Sequence, residues 1–141
     1  MSVPAYPVPR DLLKGKAVVV TAAADANEAA TLRTAGAEVL CVPGGEGTID
    51  LKALLQQLAA REVNELLVEA GATLCGALLK AGLVDELVVY LAPHLLGDNG
   101  RGMFSLPGIE TMTDRIAIDI QDIRALGKDW RITAGVKNAS P

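Results

Sequence analysis

An apolar run, Leu66-Leu67-Val68, ends in the carboxylate of Glu69, and a glycine two residues later, Gly71, stands before the helix-forming stretch Ala72-Thr73-Leu74-Cys75-Gly76-Ala77. A buried strand that delivers a carboxylate and then a glycine to the start of a helix has the form of a ligand site, because in open α/β sheets ligands sit beyond the carboxyl ends of the strands. The backbone N–H groups of Gly71 to Thr73 would open a helix suited to an anionic phosphate. Glycine at 71 allows a tight turn and close backbone approach, Thr73 adds a hydroxyl donor, and Glu69 is placed to accept hydrogen bonds from sugar hydroxyls. A plainer reading has Gly71 only making the turn and Glu69 capping the helix, and the residue types alone do not choose between the two.

The elements that must position these residues follow from the periodicity. Lys16 to Ala22 is a continuous apolar run that suits an interior strand. Asn27 to Ala35 repeats alanine and leucine at helical spacing, and Gly36 follows where a helix-terminating glycine belongs. Ala37 to Val42 reads as a second strand, stopped by the flexible loop Pro43-Gly44-Gly45-Glu46-Gly47, which lacks the Lys-Ser/Thr that completes a phosphate-cradling loop. Asp50 caps a helix with Leu51, Leu54, Leu55 and Leu58 on its apolar face, and Glu65 to Glu69 follows as a strand. A helix over about Thr73 to Ala81 is closed by Gly82, and Glu86 to Leu91 is a β-branched strand ended by Pro93. This βαβαβαβ alternation predicts an α/β fold with a mostly parallel sheet flanked by helices. Arg115 to Arg124 alternates Ile116, Ile118 and Ile120 with polar residues, and with Asp129 to Val136 it predicts an antiparallel hairpin turning at Gly127.

Composition narrows the chemistry further. A chain of 141 residues, half of them apolar, is sized for one domain with a sizeable core. Its net charge of −4 and scattered basic residues argue against a nucleic-acid surface. The apolar runs are shorter than the roughly 20 residues that span a bilayer. The Pro-rich start, Met1 to Pro9, lacks the pattern of a secretory signal, so a cytoplasmic location is expected. Cys41 and Cys75 match neither a disulfide framework nor a metal knuckle and read as buried small hydrophobes. With His94 as the single histidine, no metal site is expected. Tyr90 and Trp130 read as packing residues, Asp85-Glu86 as a solvated strand start, and Arg101 and His94 as exposed loop residues.

Three stretches fall in order at a characteristic spacing: Val68-Glu69-Ala70-Gly71-Ala72-Thr73-Leu74 with Ala77-Leu78, then Gly82-Leu83-Val84-Asp85-Glu86-Leu87, then Ala92-Pro93-His94-Leu95-Leu96-Gly97. Through them the chain, from Val63 to Gly102, resembles the reductase domain of the bifunctional riboflavin biosynthesis deaminase-reductase family, with weaker likeness through Leu106-Pro107-Gly108 and Ile123 to Thr133. The resemblance implies a dihydrofolate-reductase-like fold and NADPH-dependent reduction of the ribosyl side chain of 5-amino-6-(5-phosphoribosylamino)uracil to the ribityl form, in a homodimer. By the same resemblance the substrate-contacting glutamate falls on Glu69. The NADPH phosphate-binding turn and helix start fall on Gly71, Ala72, Thr73, Leu74, Cys75, Gly76 and Ala77. Ala72 stands where the family usually has proline, and His94 where lysine is common. The zinc-deaminase words H-x-E and P-C-x-x-C are absent, so the deaminase half is not expected. The family's reductase half also begins with further strands, which makes this chain the expected C-terminal part of a single reductase domain, incomplete for turnover alone. Two other readings stay open: a non-catalytic dimerisation or nucleotide-binding module, and a related reductase acting on another heterocycle.

Overall fold

In the computed structural model, which describes residues 17–23 and 26–137, the chain forms two compact units, Met1–Asn64 and Glu65–Pro141. The Pro-rich start and Lys16, read from sequence as the opening of the first strand, lie outside the described residues.

The first unit begins with β1 (Val18–Thr21), α1 (Ala26–Thr34) and β2 (Glu38–Cys41), a βαβ unit whose strands pair in parallel from Val18 with Glu38 to Thr21 with Cys41. Parallel pairing requires a crossover, and α1 supplies it. The helix stops at Gly36, whose φ of 95° lets the Gly36 and Ala37 amides turn back onto the carbonyls of Arg33 and Leu32. The glycine-rich stretch then closes on itself: a short 3₁₀ turn occupies Gly45–Gly47, Gly44 N–H donates to Thr48 O at 2.7 Å, and Pro43 bridges Ile49. This is the loop expected from sequence. Next comes α2 (Leu51–Ala59), capped by the Asp50 carboxylate, which accepts from Ala53 N–H at 2.9 Å. Its end carries an unusual residue: Glu62 adopts φ 66° while the Glu62 and Val63 amides donate to Ala59 O and Leu58 O. A position that ordinarily selects glycine therefore holds a glutamate.

The second unit contains α3 (Ala72–Lys80), β3 (Glu86–Leu91), β4 (Ala117–Leu126) and β5 (Asp129–Lys137). The predicted hairpin is present, with Leu126 paired to Asp129 across a two-residue turn and Gly127 at φ 64°, the left-handed conformation such a turn requires at its first position. β5 lies between β3 and β4 and pairs antiparallel with both. A bulge at Gln121 shifts the β4 register between Ile120 and Asp122.

Several expectations need correction. Glu65 to Glu69 forms no strand ladder, although its sequence reads as a buried strand. Apolar side chains give a segment reason to be covered, but a strand also needs a neighbour for its N–H and C=O groups, and no described strand takes that place. Leu66, Leu67 and Val68 are consequently 50%, 78% and 39% exposed. Among the described residues parallel pairing is confined to β1 and β2, because the hairpin reverses the chain so that β5 runs antiparallel to β3. The core is also smaller than the composition suggests: among the described residues the buried apolar side chains are Ala29, Ala37 and Val42 in the first unit and Leu78, Leu79 and Ala134 in the second. Tyr90 and Trp130, expected to pack, are exposed on the sheet, and Cys41 is exposed at the end of β2 with only one strand beside it.

Candidate functional site

The site residues expected from sequence, Glu69 and Gly71 to Ala77, all lie in the second unit. Glu69 is exposed and enters no ion pair or hydrogen bond among the described residues. Gly71 is the N-cap of α3, and Ala72 is the first helical residue, a position where proline is favoured and not required. The first amides of a helix have no acceptor within it. Here no side chain caps them and no acidic residue lies in the first turn, so the positive end of the helix is left open. Thr73 and Leu74 are exposed beside it.

The geometry at Gly71 decides against the turn-forming explanation of this glycine. Its φ of −74° and ψ of 169° are extended backbone open to any residue. An added Cβ would meet no atom of the described residues within 4 Å. Nothing among the described residues therefore requires a glycine, and the helix start stands open beside it.

Gly76, placed with the same group by sequence, carries a packing constraint that Gly71 lacks. A Cβ there would fall 2.0 Å from the carbonyl oxygen of Ser105, so the glycine exists to let the 103–107 segment cross the helix in backbone contact. Ser105 N–H also donates to Ala72 O at 2.9 Å, which ties that segment to the first turn of α3. Ser105 was not foreseen. The available signal was the glycine in mid-helix, which is unfavourable by about 1 kcal/mol relative to alanine unless packing demands it. Cys75 is half-buried, not buried, with its Sγ donating to Ala70 O at 3.4 Å. Leu74 and Ala77 are exposed, so they are not held by the interior. Lower on the helix, Leu78 and Leu79 are buried and anchor it.

Among the described residues there is no group of three or more side chains able to hold a metal ion, and no helix is long and apolar enough to cross a membrane. The chemistry open to this arrangement is recognition: a free carboxylate for hydroxyl or amino groups and an uncapped helix start for an anion, two residues apart.

Comparison with known proteins gives this geometry a context. Residues 5–132 match the family described as the RibD C-terminal domain. The chain is 49% identical over 90 residues to the riboflavin biosynthesis protein RibD of Escherichia coli strain K12, covering 64% of this chain and 24% of that protein. It is 32% identical over 89 residues to a Buchnera aphidicola 5-amino-6-(5-phosphoribosylamino)uracil reductase, covering 63% of this chain and 43% of the relative. Among solved structures, form 2 of Acinetobacter baumannii RibD superposes with a TM-score of 0.79 at 29% identity, over 96% of this chain and 36% of the other. The chain thus spans between about a quarter and under half of the length of these relatives.

Proposed function

This chain belongs to the RibD C-terminal domain family, and from that premise we propose that it forms part of an NADPH-dependent reductase site of riboflavin biosynthesis. The reaction is reduction of the ribosyl side chain of 5-amino-6-(5-phosphoribosylamino)uracil to the ribityl form. The reading is supported by the reductase name of a relative 32% identical to this chain, and it is carried at the level of the molecule by Gly71. A glycine with ordinary backbone angles and open space, at an uncapped helix start, fits the close approach of a cofactor phosphate. NADPH, when bound, supplies the hydride, and the protein supplies binding and orientation. In this role Gly71, Ala72 and Thr73 offer amides to phosphate, and Leu74 to Ala77 continue the helix that aims them. Glu69, without a partner among the described residues, accepts hydrogen bonds from the ribose hydroxyls of the substrate. Both units are taken as parts of one reductase domain, since the family match runs through both. The working protein is taken as a cytoplasmic homodimer.

Calorimetric titration of the chain with NADPH and NADH, repeated on Gly71→Val, tests the proposal. Binding that prefers NADPH and weakens at least tenfold in the variant, with an unchanged melting temperature, is the expected result. A variant that binds as tightly as the parent removes the helix start from the cofactor site.

A further inference from the structure

At the other end of α3, roughly 13 Å along the helix axis from its first turn, the second unit holds a cavity of about 610 Å³. That volume lies within the range of small-molecule sites, roughly 300–1,000 Å³. Its walls come from the end of α3, the 106–116 segment and the last residue of β5, and they carry Lys80, Arg115 and Lys137 against one acid, Asp114. The acid is already occupied. Asp114 Oδ2 accepts from Thr111 Oγ1 at 2.7 Å, from Thr111 N–H at 3.0 Å and from Glu110 N–H at 3.4 Å. The hydrogen bond from the Thr111 hydroxyl, followed by the two amides, holds this carboxyl below its ordinary range, so it stays ionised while turned to its own loop.

The three cations are far less committed. Lys80 Nζ reaches only Pro107 O, at 3.5 Å, Arg115 uses one N–H on Met112 O, and Lys137 Nζ is 4.0 Å from Asp119 with its side chain 63% exposed. Three carbonyls at the end of α3 that would repel an anion, those of Ala77, Leu79 and Leu78, are occupied by the amides of Ala81, Gly82 and Leu83. Leu79, Leu106, Ile109 and Ile116 give the same cavity apolar walls. We infer that this cavity is a second ligand site, separate from the helix start, for a small organic anion that pairs a carboxylate or phosphate head group with an apolar body.

Phenyl phosphate and benzoate, with benzyl alcohol as the uncharged control, would be titrated into the ¹⁵N-labelled 141-residue chain and followed by amide shifts. Saturable shifts at 79–82, 106–109 and 113–116 from the anions but not from the alcohol are expected, and the tighter of the two identifies the head group. Lys80→Gln with Arg115→Gln should raise the Kd at least tenfold while the β3 to β5 amides keep their positions, and Lys137→Gln alone should raise it severalfold. Shifts confined to 71–75, an equal response to benzyl alcohol, or affinity untouched by the glutamine variants would overturn the assignment.

Discussion

At Asp122 one carboxylate oxygen accepts from two guanidinium groups, Arg124 Nε at 2.6 Å on the same strand and Arg131 Nη2 at 3.4 Å across the ladder. The hydrogen bond from Arg124 is the main cause that holds this carboxyl below its ordinary value of 3.8; burial opposes it, and the charge of Arg124 and then Arg131 add to the lowering. A folded-state pKa below the unfolded one means that the unfolded chain binds more protons between the two values. The contribution is therefore complete above about pH 4 and is lost as pH falls through the lower, folded value. Urea denaturation at a series of pH values from 2 to 6 should show this loss in the parent and a flatter profile in Asp122→Asn. Because the pair is only half-buried, salt should reduce the effect. Glu69 offers a prediction of another kind, because it has no internal partner to lose. In an intact reductase carrying this sequence, Glu69→Gln should raise KM for the pyrimidine substrate about tenfold or more and leave NADPH affinity unchanged. Unaltered steady-state kinetics would take Glu69 out of the substrate site.

At the scale of elements, two positions test how the helices are terminated and packed. Gly76→Ala sets a methyl group 2.0 Å from the Ser105 carbonyl oxygen, a backbone atom that cannot swing aside. Overpacking of this sort costs roughly 1–3 kcal/mol, so chemical denaturation should show a loss of that order even though alanine is the better helix former. Glu62 presents the opposite case. It holds φ 66° at the end of α2, a conformation that disfavours a side chain by roughly 1 kcal/mol. Glu62→Gly is expected to stabilise the first unit by about that much, read as a higher denaturation midpoint with an unchanged slope. An unaltered or lower midpoint would mean that the glutamate side chain contributes something its exposed position does not suggest.

For the whole molecule, the distribution of apolar surface is the dominant physical fact. β3 and β4 form the two edges of the antiparallel sheet, and Ile118, Ile120, Ile123, Leu91 and Trp130 on these strands and on β5 are each about half exposed or more. The 66–68 segment is apolar, exposed and outside any ladder. Edges and segments of this kind pair with other chains unless something covers them. Sedimentation at increasing concentration should therefore reveal self-association of the chain, and Leu67→Lys should reduce it. Association of equal strength in the variant would place the contact elsewhere.

Local signals in the sequence were sufficient for most elements. Gly36 and Gly82 mark helix ends because only a left-handed residue closes those turns, Asp50 caps α2 because its carboxylate reaches a free amide, and Gly127 sets the hairpin. The three stretches between Val68 and Gly97 were enough to place the chain in its family, which the match over residues 5–132 establishes. Tertiary structure decided what depends on a neighbour. Whether Glu65 to Glu69 becomes a strand, whether β3 pairs parallel or antiparallel, and whether Cys41, Tyr90 and Trp130 are covered are all set by which backbone lies alongside, and a single segment carries no record of that. The two glycines of the candidate site make the same distinction within six residues. Their sequence contexts look alike, yet Gly76 is required by a carbonyl from a segment 29 positions away, while Gly71 meets no such constraint among the described residues.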